Sequence, residues 1–142
     1  MTLALDTNVL IDLIRGRNPV VRRNFEVAVL AGESLVTSIV VFHELQFGVA
    51  ASRKPTKEAA AVSEVLRGID VEPLNEQDAL YAAGVRAELK RQGRPIGPYD
   101  GLIAGQALAR GWTLVTSNVR EFERVKGLAV RDWLEAPEGF RF

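Results

Sequence analysis

The sequence contains no cysteine and a single histidine, His43. The absence of cysteine excludes disulfide bonds, thiolate metal sites and cysteine nucleophiles, and it is compatible with a reducing compartment. A zinc site of the usual kind needs Cys or several His ligands, so this composition argues against one. We interpret His43 as a structural residue, or as one at the rim of a site, rather than as a metal ligand.

An excess of either charge is also lacking, because 18 basic and 18 acidic residues give a formal net charge of +0 at pH 7. Any contact with nucleic acid must therefore come from local basic patches. No apolar run approaches the roughly 20 residues that span a bilayer. The first residues lack the basic segment and cleavage site of a signal peptide. These absences predict a soluble, cytoplasmic protein with no membrane partner.

The composition that remains is that of one ordinary globular domain. The chain has 142 residues, of which 47% are hydrophobic and 25% charged, so it can bury a core of its own. It contains no internal repeat, low-complexity tract or linker. We therefore predict a single domain over residues 1–142.

Short apolar runs alternate with segments of helical periodicity along the whole chain. The predicted strands are 3–5, 34–37, 69–73, 112–116 and 128–130. The predicted helices are 9–14 after the cap residues Thr7 and Asn8, 20–30, 39–51 capped by Ser38, 55–67, 76–91 capped by Asn75, 99–109, and a turn at 121–124. Strands separated by helices imply crossover connections, so we predict an α/β fold with a mostly parallel sheet covered on both faces.

Three acidic residues occupy positions where a carboxylate could serve a site. Asp6 ends the first strand, where ligands bind in parallel α/β sheets, but it could equally cap the following helix. Glu44 lies among large apolar residues, either on a solvated helix face or in a polar pocket. Asp100 falls in a first helical turn, where the helix dipole favours an acid. Taken singly, each has a structural explanation, so the pattern they form together is decisive.

These acids, 38 and 56 positions apart, lie in segments that resemble the PIN-domain nucleases, especially the VapC-type toxins of toxin–antitoxin pairs. The matching stretches are LDTNVLID at 5–12, SIVVFHELQFG at 38–48, GRPIGPYDGLIAGQAL at 93–108 and LVTSNVREFERVKGL at 114–128, followed by Asp132 and Trp133. One such stretch would be weak evidence, whereas four in order cover nearly the whole chain.

The resemblance implies a metal-dependent endoribonuclease with a three-layer α/β/α sandwich. Carried over, Asp6, Glu44 and Asp100 become the catalytic carboxylates that bind Mg²⁺ or Mn²⁺, and the Thr116 hydroxyl helps to hold the acidic cluster. It also implies a homodimer, a small antitoxin partner and an RNA substrate, for which transfer RNA is a plausible choice. The helix at 20–30 and the one beginning near Thr56 could supply the partner surfaces.

The chain departs from the family pattern at Asn118, where many members carry a fourth acid. An Asn can offer a carbonyl oxygen or orient a water, but it adds no charge. Glu121, three residues later, could supply that charge instead. One metal ion is therefore expected, and a second stays open.

RNA also requires positive charge outside the acidic pocket. The candidate cations are Arg15, Arg17, Lys90, Arg91 and Arg94. Any one of them could equally belong to a solvated helix face.

Two other functions are considered. A PIN fold that has lost catalysis could act as an RNA-binding or scaffolding module, which Asn118 favours and the three acids disfavour. A phosphatase with an aspartyl nucleophile would want a second Asp two residues after Asp6, where this chain has Asn8. The nuclease is the favoured interpretation.

Overall fold

The computed structural model describes residues 1–135, which form one five-stranded parallel sheet covered by helices. The strands are β1 (Thr2–Leu5), β2 (Ser34–Ser38), β3 (Asp70–Glu72), β4 (Thr113–Val115) and β5 (Ala129–Arg131). The helices are α1 (Thr7–Arg15), α2 (Pro19–Leu30), α3 (Ile39–Ala51), α4 (Pro55–Leu66), α5 (Glu76–Arg91), α6 (Pro98–Arg110) and α7 (Val119–Phe122). The predicted α/β/α fold is confirmed, and the described sheet is parallel throughout. The predicted domain extends to residue 142, but 136–142 lie outside the described residues.

Two helices begin two residues earlier than predicted. Thr7 begins α1 instead of capping it, because the Asp6 carboxylate accepts the hydrogen bond from the Thr7 N–H. The last short helix begins at Val119, two residues before the predicted turn, because its first backbone hydrogen bonds return to the carbonyl of Asn118. In contrast, Ser38 and Asn75 cap α3 and α5 through side-chain oxygens, as the sequence predicts.

The strand order is β3-β2-β1-β4-β5, which makes the first strand of the chain the central one. From β1 the chain first builds outward through β2 and β3, and it later returns to the other side of β1 with β4 and β5. The carboxyl ends of β1, β2 and β4 therefore meet at one edge, at the point where the winding direction reverses. In open α/β sheets this is the usual place for a ligand crevice.

Helices α5 and α6 pack unusually closely, because two glycines of α6 face α5. A Cβ placed on Gly105 would lie 2.4 Å from both Cα and N of Ala82, so only glycine fits there. One turn earlier, a Cβ on Gly101 would lie 2.7 Å from Cγ of Arg86. The two contacts pair 105 with 82 and 101 with 86, which is the register of antiparallel helices. This packing fixes the start of α6, which carries Asp100, against α5.

A buried ion pair holds the other end of α6 to the start of α5. The Nη2 atom of Arg110 lies 2.7 Å from Oδ2 of Asp78, whose side chain is 1% exposed. Asp78 also accepts the Asn75 N–H at 2.9 Å in the capping box of α5. The same guanidinium lies 5.0 Å from the centre of the Trp112 ring. Arg110 also contacts Glu72 Oε2 at 3.3 Å, so the buried charge of Asp78 is satisfied within a small polar network that joins the two helices.

Candidate active site

Asp6 is the most deeply enclosed acid of the site, with only 4% of its surface exposed. It follows β1 directly and caps α1, so its backbone belongs to both elements. Its Oδ1 accepts the Thr7 N–H at 2.8 Å, and its Oδ2 accepts the Thr116 hydroxyl at 2.8 Å and the Asn8 amide at 3.2 Å. Burial raises the pKa of Asp6 above its usual value, although these three hydrogen bonds favour the charged form and oppose the rise.

Asn8 and Thr116 join the ends of β1 and β4 around this carboxylate. The Asn8 side chain donates to the Thr116 hydroxyl at 3.3 Å and accepts the Ser117 N–H at 3.0 Å. The fully buried Thr116 oxygen also accepts the Asn118 N–H at 3.0 Å. A closed polar network therefore fixes the orientation of Asp6 relative to both strands.

Glu44 approaches the cluster from α3 and is half-buried. Burial raises the pKa of Glu44, the negative charge of Asp6 adds to the rise, and the Thr7 hydroxyl and His43 oppose it. The Thr7 hydroxyl faces this carboxylate without the geometry of a formed hydrogen bond. Its oxygen is buried and has no partner within residues 1–135. A buried hydroxyl beside a carboxylate is thus left free for a ligand or a water.

Asp100, in the first turn of α6, carries the clearest electrostatic evidence for a shared site. Burial and the negative charges of Asp6, Glu44 and Glu121, in that order, raise the pKa of Asp100 to about 6. Like charges raise the pKa of a carboxyl only when they are close and poorly screened. The structure therefore brings the three acids predicted from the sequence to one place, together with Glu121.

Asn118 and Glu121, the residues predicted to replace a fourth acid, differ in what they contribute to the site. Asn118 is exposed and precedes α7, and it contributes its backbone N–H to Thr116 instead of a side-chain cap. Glu121 adds negative charge near Asp100, but its own Oε1 accepts a 2.6 Å hydrogen bond from Arg124. Arg124 also donates to the carbonyl of Arg94 at 2.6 Å. Glu121 thus reaches the cluster as half of an ion pair.

The five candidate RNA-binding cations are all exposed. Arg15 shares a cavity of about 210 Å³ with Glu44, between α1, α3 and α4. Arg91 is engaged in a 2.8 Å ion pair with Glu88, which leaves it less available to a phosphate. Lys90 and Arg94 precede the Asp100 turn, and Arg17 follows α1. Their contact with RNA stays a prediction.

The donor chemistry of the site fits a hard divalent cation. All of the clustered side chains offer oxygen, which Mg²⁺ and Mn²⁺ prefer. His43 packs edge-on against the Tyr99 ring, with the ring centres 5.7 Å apart. No group of three or more His, Asp or Glu side chains within residues 1–135 is arranged to hold an ion as it stands. Mg²⁺ commonly uses only one or two protein carboxylates and keeps several waters, so the acids of this cluster would be enough to hold one.

Two residues of the network were missed as site residues in the sequence. Thr7 and Asn8 were predicted only as cap residues, yet both belong to the polar shell around Asp6 and Glu44. The available signal was a run of three polar residues, 6–8, directly after a buried strand, which is more than one helix cap requires.

Comparison with known proteins agrees with this architecture. The sequence matches the PIN domain over residues 3–128. The chain belongs to the PIN-domain family. Among the relatives of this PIN domain is the tRNA(fMet)-specific endonuclease VapC of Shigella flexneri. The two sequences are 40% identical over 129 residues, which cover 91% of this chain and 96% of the relative. The ribonuclease VapC2 of Haemophilus influenzae is 35% identical over 130 residues, or 92% of this chain and 96% of the relative.

Solved structures show the same PIN fold. VapBC2 from Rickettsia felis, bound to a DNA fragment from its promoter, superposes with a TM-score of 0.88 at 29% identity, covering 94% of this chain and 99% of that one. DNA-bound VapBC from Salmonella typhimurium gives a TM-score of 0.85 at 35% identity, covering 94% of this chain and 98% of that one. Within residues 1–135 of this PIN domain, no helix combines the length and apolar character needed to cross a bilayer.

Proposed function

We propose that this PIN domain is a metal-dependent endoribonuclease, the toxin of a toxin–antitoxin pair, which hydrolyses RNA phosphodiester bonds. The observation that carries the proposal is the convergence of Asp6, Glu44 and Asp100 at the reversal point of the sheet. Burial and the negative charges of the neighbouring acids raise the pKa of Asp100 to about 6, and such an arrangement costs stability unless a cation offsets it.

Mg²⁺ or Mn²⁺ is the cofactor proposed for this site. Asp6 and Asp100 would hold the ion directly, and Glu44 would bind the ion or one of its waters. When bound, such an ion lowers the pKa of a coordinated water and neutralises charge that develops on the phosphoryl oxygens. A second ion stays open, because position 118 is Asn and Glu121 is paired with Arg124.

The chain's own residues supply orientation and proton transfer. The Thr116 hydroxyl and the Thr7 N–H hold Asp6 in one orientation, so its carboxylate would already be positioned for an ion before substrate arrives. The Glu44 carboxylate, half-buried and with a raised pKa, accepts a proton from the attacking water. The water oxygen then bonds to phosphorus and one ester P–O bond breaks. The departing oxygen takes up a proton from solvent, and Glu44 returns to solvent the proton that it accepted.

The names of the relatives support the proposed substrate and partners. The Shigella flexneri relative is named for cleavage of tRNA(fMet), so we assign transfer RNA as the substrate class and initiator tRNA as the first to test. The two similar solved structures are VapBC assemblies, which supports a small antitoxin as partner. A homodimer and a cytoplasmic location complete the proposal. Val29 and Leu30 of α2, 51% and 82% exposed, belong to one of the helices proposed as partner surfaces.

The direct test incubates the purified protein with total RNA and with tRNA(fMet), in Mg²⁺, in Mn²⁺ and in EDTA. We expect new RNA ends with either ion, none in EDTA, and none from Asp6→Asn, Glu44→Gln or Asp100→Asn. Glu64→Gln is the matched control, since it removes an exposed carboxylate of α4 that pairs with Arg67. Full cleavage by Asp6→Asn would refute the site, and RNA binding without cleavage by the wild type would favour the RNA-binding module.

A further inference from the structure

A basic cavity lies between α5 and the loop that leads into α6. Its volume is about 280 Å³, and its lining combines two cations of α5, Arg86 and Lys90, with Pro95 and Ile96 of the loop before α6. No carboxylate lines it, whereas the cavity beside Glu44 contains a second acid, Glu58. The two cavities therefore differ in the charge of their lining residues.

Arg86 is placed by the close approach of α5 to α6. The absent side chain of Gly101 leaves room for its stem, so that a Cβ there would meet Cγ at 2.7 Å and Cδ at 3.0 Å. Gly101 lies against Arg86 and Ile96, two residues of the cavity lining, and it follows Asp100 in the first turn of α6.

Lys90 continues the same ridge of α5. Residues 82, 86 and 90 are spaced by four and therefore lie on one face. Ala82 meets Gly105 and Arg86 meets Gly101, so Lys90 falls opposite the loop that leads into α6. Within residues 1–135, neither Arg86 nor Lys90 forms an ion pair, although the neighbouring Arg91 is bound to Glu88. The side chains of Arg86 and Lys90 are therefore exposed cations that form no ion pair within residues 1–135.

We propose that Arg86 and Lys90 form a phosphate-binding subsite for the RNA backbone, on the α5 side of the helix turn that carries Asp100. This inference rests on the proposed ribonuclease function and extends it to how the substrate is held. Two exposed cations without acidic partners attract the backbone irrespective of base sequence. Arg86 is fixed by its packed stem, so less side-chain entropy is lost when its guanidinium donates to a phosphate. The subsite positions RNA and takes no part in the chemistry.

The test compares Arg86→Ala, Lys90→Ala and the double variant with Arg22→Ala. The control removes an exposed arginine of α2 that has no ion pair in residues 1–135. Binding of fluorescein-labelled tRNA(fMet) is measured over a salt series in an Asp6→Asn background, where RNA is not cut. Cleavage of the same tRNA is then measured with Mg²⁺ in variants that keep Asp6, and kcat and KM are obtained separately.

We expect Arg86→Ala to raise Kd and KM about tenfold and to change kcat by less than about twofold. The lost contact would hold the substrate and the transition state equally, so its removal weakens binding without slowing the chemical step. Each cation removed should flatten the slope of log K against log salt by about 0.7 to 0.9, and Arg86→Lys should recover most of that slope. Affinities and slopes equal to those of Arg22→Ala would overturn the subsite while leaving the ribonuclease intact. A wild type that binds this tRNA without cutting it would refute the ribonuclease, and the salt slopes would still decide the subsite. Absence of both binding and cleavage would overturn both proposals.

Discussion

The hydroxyl of Thr116 donates a 2.8 Å hydrogen bond to Oδ2 of Asp6, linking residues 110 positions apart. This contact joins the carboxyl ends of β1 and β4, and it is fully removed from solvent on the Thr116 side. Burial raises the pKa of Asp6, and the hydrogen bond from Thr116 keeps its carboxylate in a fixed orientation. The stability of the fold and the geometry of the site depend on the same bond.

Thr116→Val should therefore weaken both. It removes a hydrogen bond to a charged group without changing the side-chain shape, so we expect a loss of about 1.5–3 kcal/mol in the free energy of unfolding. RNA cleavage should fall about tenfold or more, as for residues that orient metal ligands. Urea unfolding and cleavage assays measure the two effects. The control is Thr113→Val at the start of β4, the strand that Thr116 follows, because the Thr113 hydroxyl makes no hydrogen bond in residues 1–135. Equal behaviour of the two variants would contradict the role given to Thr116.

Divalent ions should stabilise the protein through the acidic cluster. Binding to the folded state alone contributes about 2.7 kcal/mol when the free ion is about 100 times its Kd. We expect Mg²⁺ or Mn²⁺ to raise Tm by several degrees in a thermal melt. Asp100→Asn should lose most of this response, and in EDTA it should melt no lower than the wild type, because it relieves repulsion. Glu64→Gln should respond to the ion as the wild type does. An unchanged response in Asp100→Asn would remove this residue from the ion site.

The ion pair between Asp78 and Arg110 should contribute to the loss of unfolding free energy at acidic pH. Burial works to raise the pKa of Asp78, but the hydrogen bonds from Arg110 and Asn75 and the charge of Arg110 outweigh it and hold the pKa low. A depressed folded-state pKa gives stability that is present above the unfolded value of about 3.9 and is lost as pH falls through the folded value.

Asp78→Asn should therefore be less stable at neutral pH and show a flatter fall in unfolding free energy below about pH 4. The comparison is Glu88→Gln, which breaks the exposed pair with Arg91 and should have little effect, because solvent screens that pair. Urea unfolding across pH measures both. If the unfolding free energy of both variants fell below pH 4 as steeply as that of the wild type, the Asp78–Arg110 pair would not contribute to stability.

Two glycine-to-alanine changes should have opposite effects on stability. Gly105→Ala forces a methyl group against the backbone of Ala82 and should cost about 3 kcal/mol or more. Gly84→Ala, in the middle of α5, meets open space and should stabilise by about 0.5–1 kcal/mol through helix propensity alone. Denaturant midpoints with unchanged m values give both numbers. A tolerated Gly105→Ala would show that α5 and α6 can separate without penalty.

The order of strands and helices could be predicted from the sequence, because hydrophobic periodicity and the caps Ser38 and Asn75 are local signals. The convergence of the acids could not be read from any of them singly. Glu44 lies in a helix that is apolar on most sides, so the sequence alone could not assign it to a solvated face or to a pocket. It was the family resemblance that joined Asp6, Glu44 and Asp100 before the fold was known.

Other parts of the site depend on packing that leaves no trace in one sequence. Thr7 and Asn8 look like helix caps until β4 is placed beside β1, because their partners lie more than a hundred residues away or on another helix. The position of Arg86 depends on the register between α5 and α6. Gly101 permits this register, but a glycine in the sequence does not by itself predict it. Long-range contacts of this kind need the tertiary structure.

The central place of β1 has a consequence for synthesis of the protein. A ribosome-bound chain that has not reached residue 113 lacks β4, so one edge of the first strand has no partner and Asp6 lacks the Thr116 hydroxyl. The elements needed to finish the site emerge in the last third of the chain, after the strand around which they assemble. Nascent fragments that end before residue 113 therefore lack a complete active site. We expect the protein to become active only after β4 and the residues that follow it have been synthesised.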